Sequence, residues 1–209
     1  MLLCFFFLHK CKNNGTENFM AEKEEKDISH EMRSVRVPSR KMKMIKEEWM
    51  KIYTPVVVQC NLQIRMNLAT QSIDIRTCKE TLSPVAIQRA EEFISAVTLG
   101  FSPEDALSIL RDDTLYVNCF SIEDVRILRH HHIGRAIGRV AGTKGKIKNN
   151  LELITQTRIV IEDKNIRVLG TAESIALVRT AVSKLIMGSQ PAKVCADLRM
   201  ISKKVQERL

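Results

Sequence analysis

The order of elements that the apolar periodicity sets out between residues 62 and 110 returns between 158 and 205, and this repeat limits the fold more than any other feature. In the first copy Leu62-Gln-Ile64-Arg-Met66 and Ile73-Asp-Ile75 alternate as hairpin strands, with 69–72 as the turn. A helix follows over 84–99, with Ile87, Ala90, Phe93, Ile94 and Val97 on one face and Gly100 as its stop. Ser102-Pro103-Glu104-Asp105 then opens another helix. In the second copy 158–161 and 166–169 are strands around an Asp163-Lys164-Asn165 turn. Thr171 caps a helix that ends at Gly188, and Pro191 opens the last one. Strand, strand, helix, glycine, proline, helix occurs twice, so two related α+β domains are expected.

The copies differ in what precedes them. Before the second, 115–120 reads as a strand, and two short helices then meet at glycines. Ile133, Ile137 and Val140 recur at i, i+4 and i+7, as do Ile147, Leu151 and Ile154, and Gly142-Thr143-Lys144-Gly145 lies between. Glycine takes φ > 0 and lets another backbone come close, and the start of the second helix favours an anion. Lys144, Lys146 and Lys148 add positive charge at the same point, and Arg135 and Arg139 fall on another face of the first helix. This is a cradle for a phosphodiester backbone. Gly138 weakens the first helix by about 1 kcal/mol relative to alanine, which calls for close approach of either the neighbouring helix or a ligand. Bases would lie over a groove of Ile137, Val140, Ile147 and Ile159, residues that the core also claims.

Charge is focused on the same stretch. Residues 126–158 carry eight Arg or Lys against one acid, whereas 55–100 carries four of each and 101–125 one base against six acids. Of the chain's net +9, the excess therefore sits where the glycine turn lies, as on a polyanion-binding face. Preceding the first copy, 1–46 is charged and mixed in sign and reads as a flexible tail, with order beginning near Trp49. Thr54-Pro55 reads there as a cap and first helical position. Leu2 to Leu8 is apolar but too short for a membrane span. The six cysteines are scattered without a C-x-x-C pair, which argues against zinc and for a reducing compartment. His130 to His132 do not converge as metal ligands do. No nucleophile–base pair or P-loop is readable, so neither an enzyme nor a cofactor or metal is expected.

The order strand, helix, G-x-x-G, helix, strand, strand, helix resembles the type I KH domain, which clamps about four nucleotides of single-stranded RNA on that loop. The resemblance extends further. Trp49-Met-Lys-Ile-Tyr-Thr-Pro55, Ile75-Arg-Thr-Cys-Lys-Glu-Thr81, Leu99-Gly-Phe101 with Asp105-Ala-Leu107, Arg135-Ala-Ile-Gly-Arg139 and Thr157-Arg-Ile-Val160 are similar to the partner-of-Nob-one family. It covers the chain from about Pro38 to Leu209. What it implies is two tandem type I KH-like domains: a tail over 1–46, a degenerate unit over 47–112 without G-x-x-G, and a complete one over 113–209. It implies a non-enzymatic RNA-binding assembly factor of the small ribosomal subunit. Its partners would be single-stranded pre-rRNA near the 3′ end, the Nob-one endonuclease that makes the final cut, and pre-ribosomal small-subunit proteins, with no membrane. Its place would be the nucleus and nucleolus, and the cytoplasm with the maturing subunit. Carried over by position, RNA contact falls on Arg135, Arg139, Gly142, Thr143, Lys144, Gly145, Lys146 and Lys148. Two departures stand out: lysine occupies the second variable place of the loop, and His130-His131 replaces Gly-Asp, which would raise RNA affinity at mildly acid pH. The alternatives are the sibling KH factor of the earlier small-subunit processome, which lacks the second G-x-x-G, and a KH-fold protein scaffold.

Overall fold

In the computed structural model, residues 31–78, 81, 83, 85–127 and 130–207 are described. Two units with one topology follow each other. The first runs β1 (Met32–Arg36), a short 3-10 turn, α1 (Met42–Glu47), α2 (Trp49–Cys60), β2 (Leu62–Asn67), β3 (Ser72–Thr77), α3 (Ala86–Leu99) and α4 (Pro103–Arg111). The second runs β4 (Tyr116–Ser121), α5 (Ile122–Val125), α6 (His130–Ala141), α7 (Lys146–Thr155), β5 (Arg158–Glu162), β6 (Asn165–Gly170), α8 (Ala172–Met187) and α9 (Pro191–Gln206). Each sheet is antiparallel, with its last strand in the middle: β1-β3-β2 and β4-β6-β5. The fold is α+β with two tandem KH domains.

Each unit has its own apolar core. In the first, Ile73 and Ile75 of the central strand meet Ile87, Phe93 and Ile94 of α3, with Ile52 and Val56 of α2 beside them. In the second, Ile166 and Val168 meet Val140 of α6, Leu151 of α7 and Val178 and Val182 of α8. The caps match the sequence: Ser102 accepts from the Asp105 N–H, Thr171 from the Ser174 N–H, and Gly100 and Gly188 close their helices with positive φ.

Two expectations are corrected. The stretch 32–46, read as part of a flexible tail, supplies β1 and most of α1, and Val37 and Ile45 are buried in the first core. β1 escaped notice because its core-facing positions are Arg33 and Val35, and Arg33 is satisfied by Glu31 and Glu91 at 2.8 and 2.6 Å. Residues 1–30 lie outside the described residues. Pro55 is not at a helix start either; it lies inside α2, where buried Ile52 and Val56 hold the helix through the missing N–H. Only Glu48 separates α1 from α2, where the second unit has its glycine loop.

The two units share a buried seam. Val117, Val160 and Leu169 lie on the face of the second sheet opposite its own helices, and they join the core of the first unit. At the seam's edge the Glu162 carboxylate accepts from Lys41 Nζ at 3.1 Å and from Arg167, and forms an ion pair with Arg40 at 3.0 Å. Arg167 also donates to the Leu99 carbonyl at 2.6 Å, and Arg158 pairs with Asp105 at 2.7 Å.

Candidate nucleic-acid interface

α6 is amphipathic: Ile133, Ala136 and Val140 face the core, while Gly134, Arg135, Gly138 and Arg139 are exposed. α7 buries Leu151 and packs against α6, α8 and α9. Between them the loop needs backbone that L side chains rarely adopt. Gly142, Lys144 and Gly145 have φ of +72°, +54° and +73°. A Cβ on Gly142 would also sit 2.6 Å from Ile147 Cγ1, so glycine there is a packing requirement as well. At Gly145 a Cβ would meet only Asn149 Oδ1, at an ordinary 3.9 Å, so the positive φ alone asks for glycine. The side chains of Thr143, Lys144 and Lys146 point to solvent, and no side chain caps the N-terminus of α7.

The eight residues proposed for RNA contact therefore divide. Arg135, Lys144 and Lys146 are exposed cations with no carboxylate partner among the described residues. Arg139 reaches instead to the C-terminus of α8, 3.4 Å from the Ile186 carbonyl, where a cation offsets the helix dipole. Lys148 is half-buried and 3.7 Å from Glu152, whose carboxylate also accepts from the Ile159 N–H at 2.7 Å. The groove set divides likewise. Ile137 and Ile147 are half-buried at the edge of the second core, but Val140 and Ile159 are 0% and 1% exposed. The expectation that Val140 and Ile159 touch bases is corrected: both face inward under α8.

Gly138 is settled in part. A Cβ at Gly134 or Gly138 would meet nothing within 4 Å, so the neighbouring helix is not the reason for either glycine. The two lie one turn apart on the open side of α6, leading to Gly142, and form a bare strip beside the cations. Gly138→Ala is expected to raise stability by about 0.5–1 kcal/mol. If a nucleic-acid strand lies on this strip, the same substitution weakens its binding severalfold; a melting curve and a titration on one sample check both. The His130 and His131 side chains lie outside the described ones, and His132 is exposed. Among the described residues no group of three His, Cys, Asp or Glu is placed to hold a metal, and no helix is long and apolar enough to cross a membrane.

Comparison with known proteins bears on this geometry. Residues 119–203 match the family model "Eukaryotic type KH-domain (KH-domain type I)" of the second PNO1 domain, and 34–112 match "Krr1 KH1 domain". RNA-binding protein PNO1 of Oryzias latipes is 44% identical over 178 residues, covering 85% of this chain and 73% of that protein. The chain belongs to the PNO1 family. Pre-rRNA-processing protein PNO1 of Phaeosphaeria nodorum is also 44% identical, over 86% of this chain and 68% of its own length. PNO1 proteins are thus RNA-binding, pre-rRNA-processing proteins with KH domains. The first unit's family match is to a Krr1 domain, whereas the relatives named PNO1 span both units, over 85% and 86% of the chain. The chain also shares its fold with the a/eIF2alpha–aDim2p–rRNA complex structure from Pyrococcus horikoshii (TM-score 0.71, 23% identity, 87% of this chain and 99% of that one). The first-unit match begins at residue 34, in agreement with the position of β1.

Proposed function

We propose that this protein binds single-stranded precursor rRNA of the small ribosomal subunit near its 3′ end and presents it to the Nob-one endonuclease, without catalysing the cut. The observation that carries the reading is the loop at 142–145: three positive-φ residues, Lys144 among them, between two helices, with Arg135, Lys144 and Lys146 lacking a carboxylate partner among the described residues. In a PNO1 chain, the polyanion that fits this loop is a ribonucleotide backbone. The bare strip of α6 and the half-buried Ile137 and Ile147 provide the apolar side on which bases rest. Pre-ribosomal small-subunit proteins are the remaining partners, and the nucleus, nucleolus and later the cytoplasm are the places where that RNA matures.

Crosslinking of the full chain in cells, followed by sequencing of the attached RNA, tests this. Enrichment of small-subunit rRNA 3′ ends is the expected result, and enrichment of unrelated RNA would reject it. In vitro, three phosphate contacts give a slope of about −2 for log affinity against log salt on a single strand. A flat dependence, or equal affinity for deoxy and ribo oligomers, would count against it.

A further inference from the structure

Each sheet has one face on its own helices and a second face turned away from them. In the second unit that outer face carries Val117, Val160 and Leu169 together with Arg158, Arg167 and Glu162, which are ion-paired, and the first unit covers it. In the first unit the register puts Arg36, Arg65 and Arg76 on the outer face, one on each strand, with Ser34, Ser72 and Asp74 between them. Ser34, Arg36, Arg65 and Arg76 are exposed. Asp74 is the face's one acid and is buried beneath this layer. It accepts from Ser34 Oγ at 2.8 Å, Ser72 Oγ at 3.2 Å and Arg65 Nε at 3.0 Å. Its charge is spent on holding Arg65 in place. Arg36 and Arg76 have no acidic partner among the described residues.

We propose that this outer face of the first sheet is a second RNA-binding surface, which grips the phosphate backbone of duplex rRNA beside the strand held at the glycine loop. The inference rests on the reading of the protein as an rRNA binder. Where this molecule covers a sheet face with protein, the charges on that face are paired, Arg158 with Asp105 and Arg167 with Glu162 and the Leu99 carbonyl; on this face, which also carries Met32, Gln63 and Asn67, Arg36 and Arg76 have no such partner among the described residues. Guanidinium takes phosphate in a bidentate fork. Strand geometry spaces Arg36 and Arg76 about 14 Å apart, so each can take a separate phosphate, while Arg65 between them stays on Asp74. The strands present no aromatic ring on this face, and single strands are held on such platforms by stacking. A rigid duplex backbone fits, and the glycine-less first unit becomes a second grip instead of a prop.

The test uses the full chain with Arg36→Gln and Arg76→Gln together, leaving Arg65 on Asp74. Binding is measured to a single-stranded hexanucleotide and to an RNA stem that carries the same six nucleotides as a tail. The expected result is unchanged hexamer affinity and at least about tenfold weaker binding to the tailed stem. The salt slope on the stem should fall by about one for each lost phosphate contact. An unchanged affinity for the stem overturns the proposal, as does an equal loss on both RNAs, which would make the face part of the loop's own site. Unchanged RNA binding with loss of binding to poly-glutamate would assign the face to an acidic protein and also overturn it. Thr143→Asp with Lys144→Asp in the same assay separates the two readings. Hexamer binding that survives this loop variant removes the loop as the single-strand site, while the stem still reports on the sheet.

Discussion

Replacing Thr143 and Lys144 together by aspartate is expected to weaken single-stranded RNA binding by about 100-fold, close to 3 kcal/mol, with no change in the fold. Both side chains are exposed and touch neither core. Lys144 sits at φ +54°, a region that aspartate tolerates better than lysine, so the backbone is not disturbed. What changes is electrostatic. One cation is lost and two anions are placed where the phosphates would pass, while Arg135 and Lys146 remain. Aspartate at Gly142 would be a poorer test, because a Cβ there runs into Ile147 and a loss of binding could be a loss of structure. Equal melting temperatures for variant and parent, with anisotropy titrations on a labelled hexamer, check the prediction. Retained affinity would show that the loop is not where RNA is held.

The glycine loop was legible because its signals are local. Two apolar stripes at i, i+4 and i+7 fix the helices, and the glycines stand where the chain must take positive φ. Periodicity also gave both hairpins and the long helices of each unit. It fails where a residue's partner is distant. β1 carries a buried-side arginine whose justification is Glu91, 58 residues away, so its alternation looked like mixed charge. Arg139 is drawn to the end of α8, a place no spacing rule reaches. Periodicity names a helix face but cannot separate the core from a groove rim, so from sequence Val140 and Ile159 look the same as the rim residues Ile137 and Ile147. Two further features are visible in the sequence itself. Lys148 and Glu152 stand at i, i+4, a pairing visible in the sequence. Arg158-Ile-Val-Ile161 lacks the polar alternation of Leu62-Gln-Ile-Arg-Met66, and continuous apolar strands signal a sheet covered on both faces. The seam between the units was written there.

That seam carries the second large effect. The Glu162 carboxylate lies at the boundary with Arg167 of its own sheet on one side and Arg40 and Lys41 of the first unit on the other. Its pKa is held at about 2 instead of the usual 4.5: the hydrogen bond from Arg167 lowers it most, burial works against this, and Lys41 adds to the lowering. Because the folded value is depressed, the stabilisation is fully present above the unfolded value of about 4.5 and is lost as pH falls toward 2. Glu162→Gln removes the anion and leaves Arg167, which is 8% exposed, and Lys41 without their counter-charge. The expected cost at pH 7 is about 2–3 kcal/mol, less than for a fully buried pair because the Glu162 side chain is 22% exposed. For a chain of this size that is a fall in melting temperature of about 5–10 °C. Between pH 5 and 2 the variant's stability should fall less steeply than the parent's, because the group that titrates there is gone. Parallel melting-temperature profiles across that range would show instead that Glu162 is ionised to the same extent folded and unfolded, and that the apolar seam of Val117, Val160 and Leu169 holds the two units together unaided.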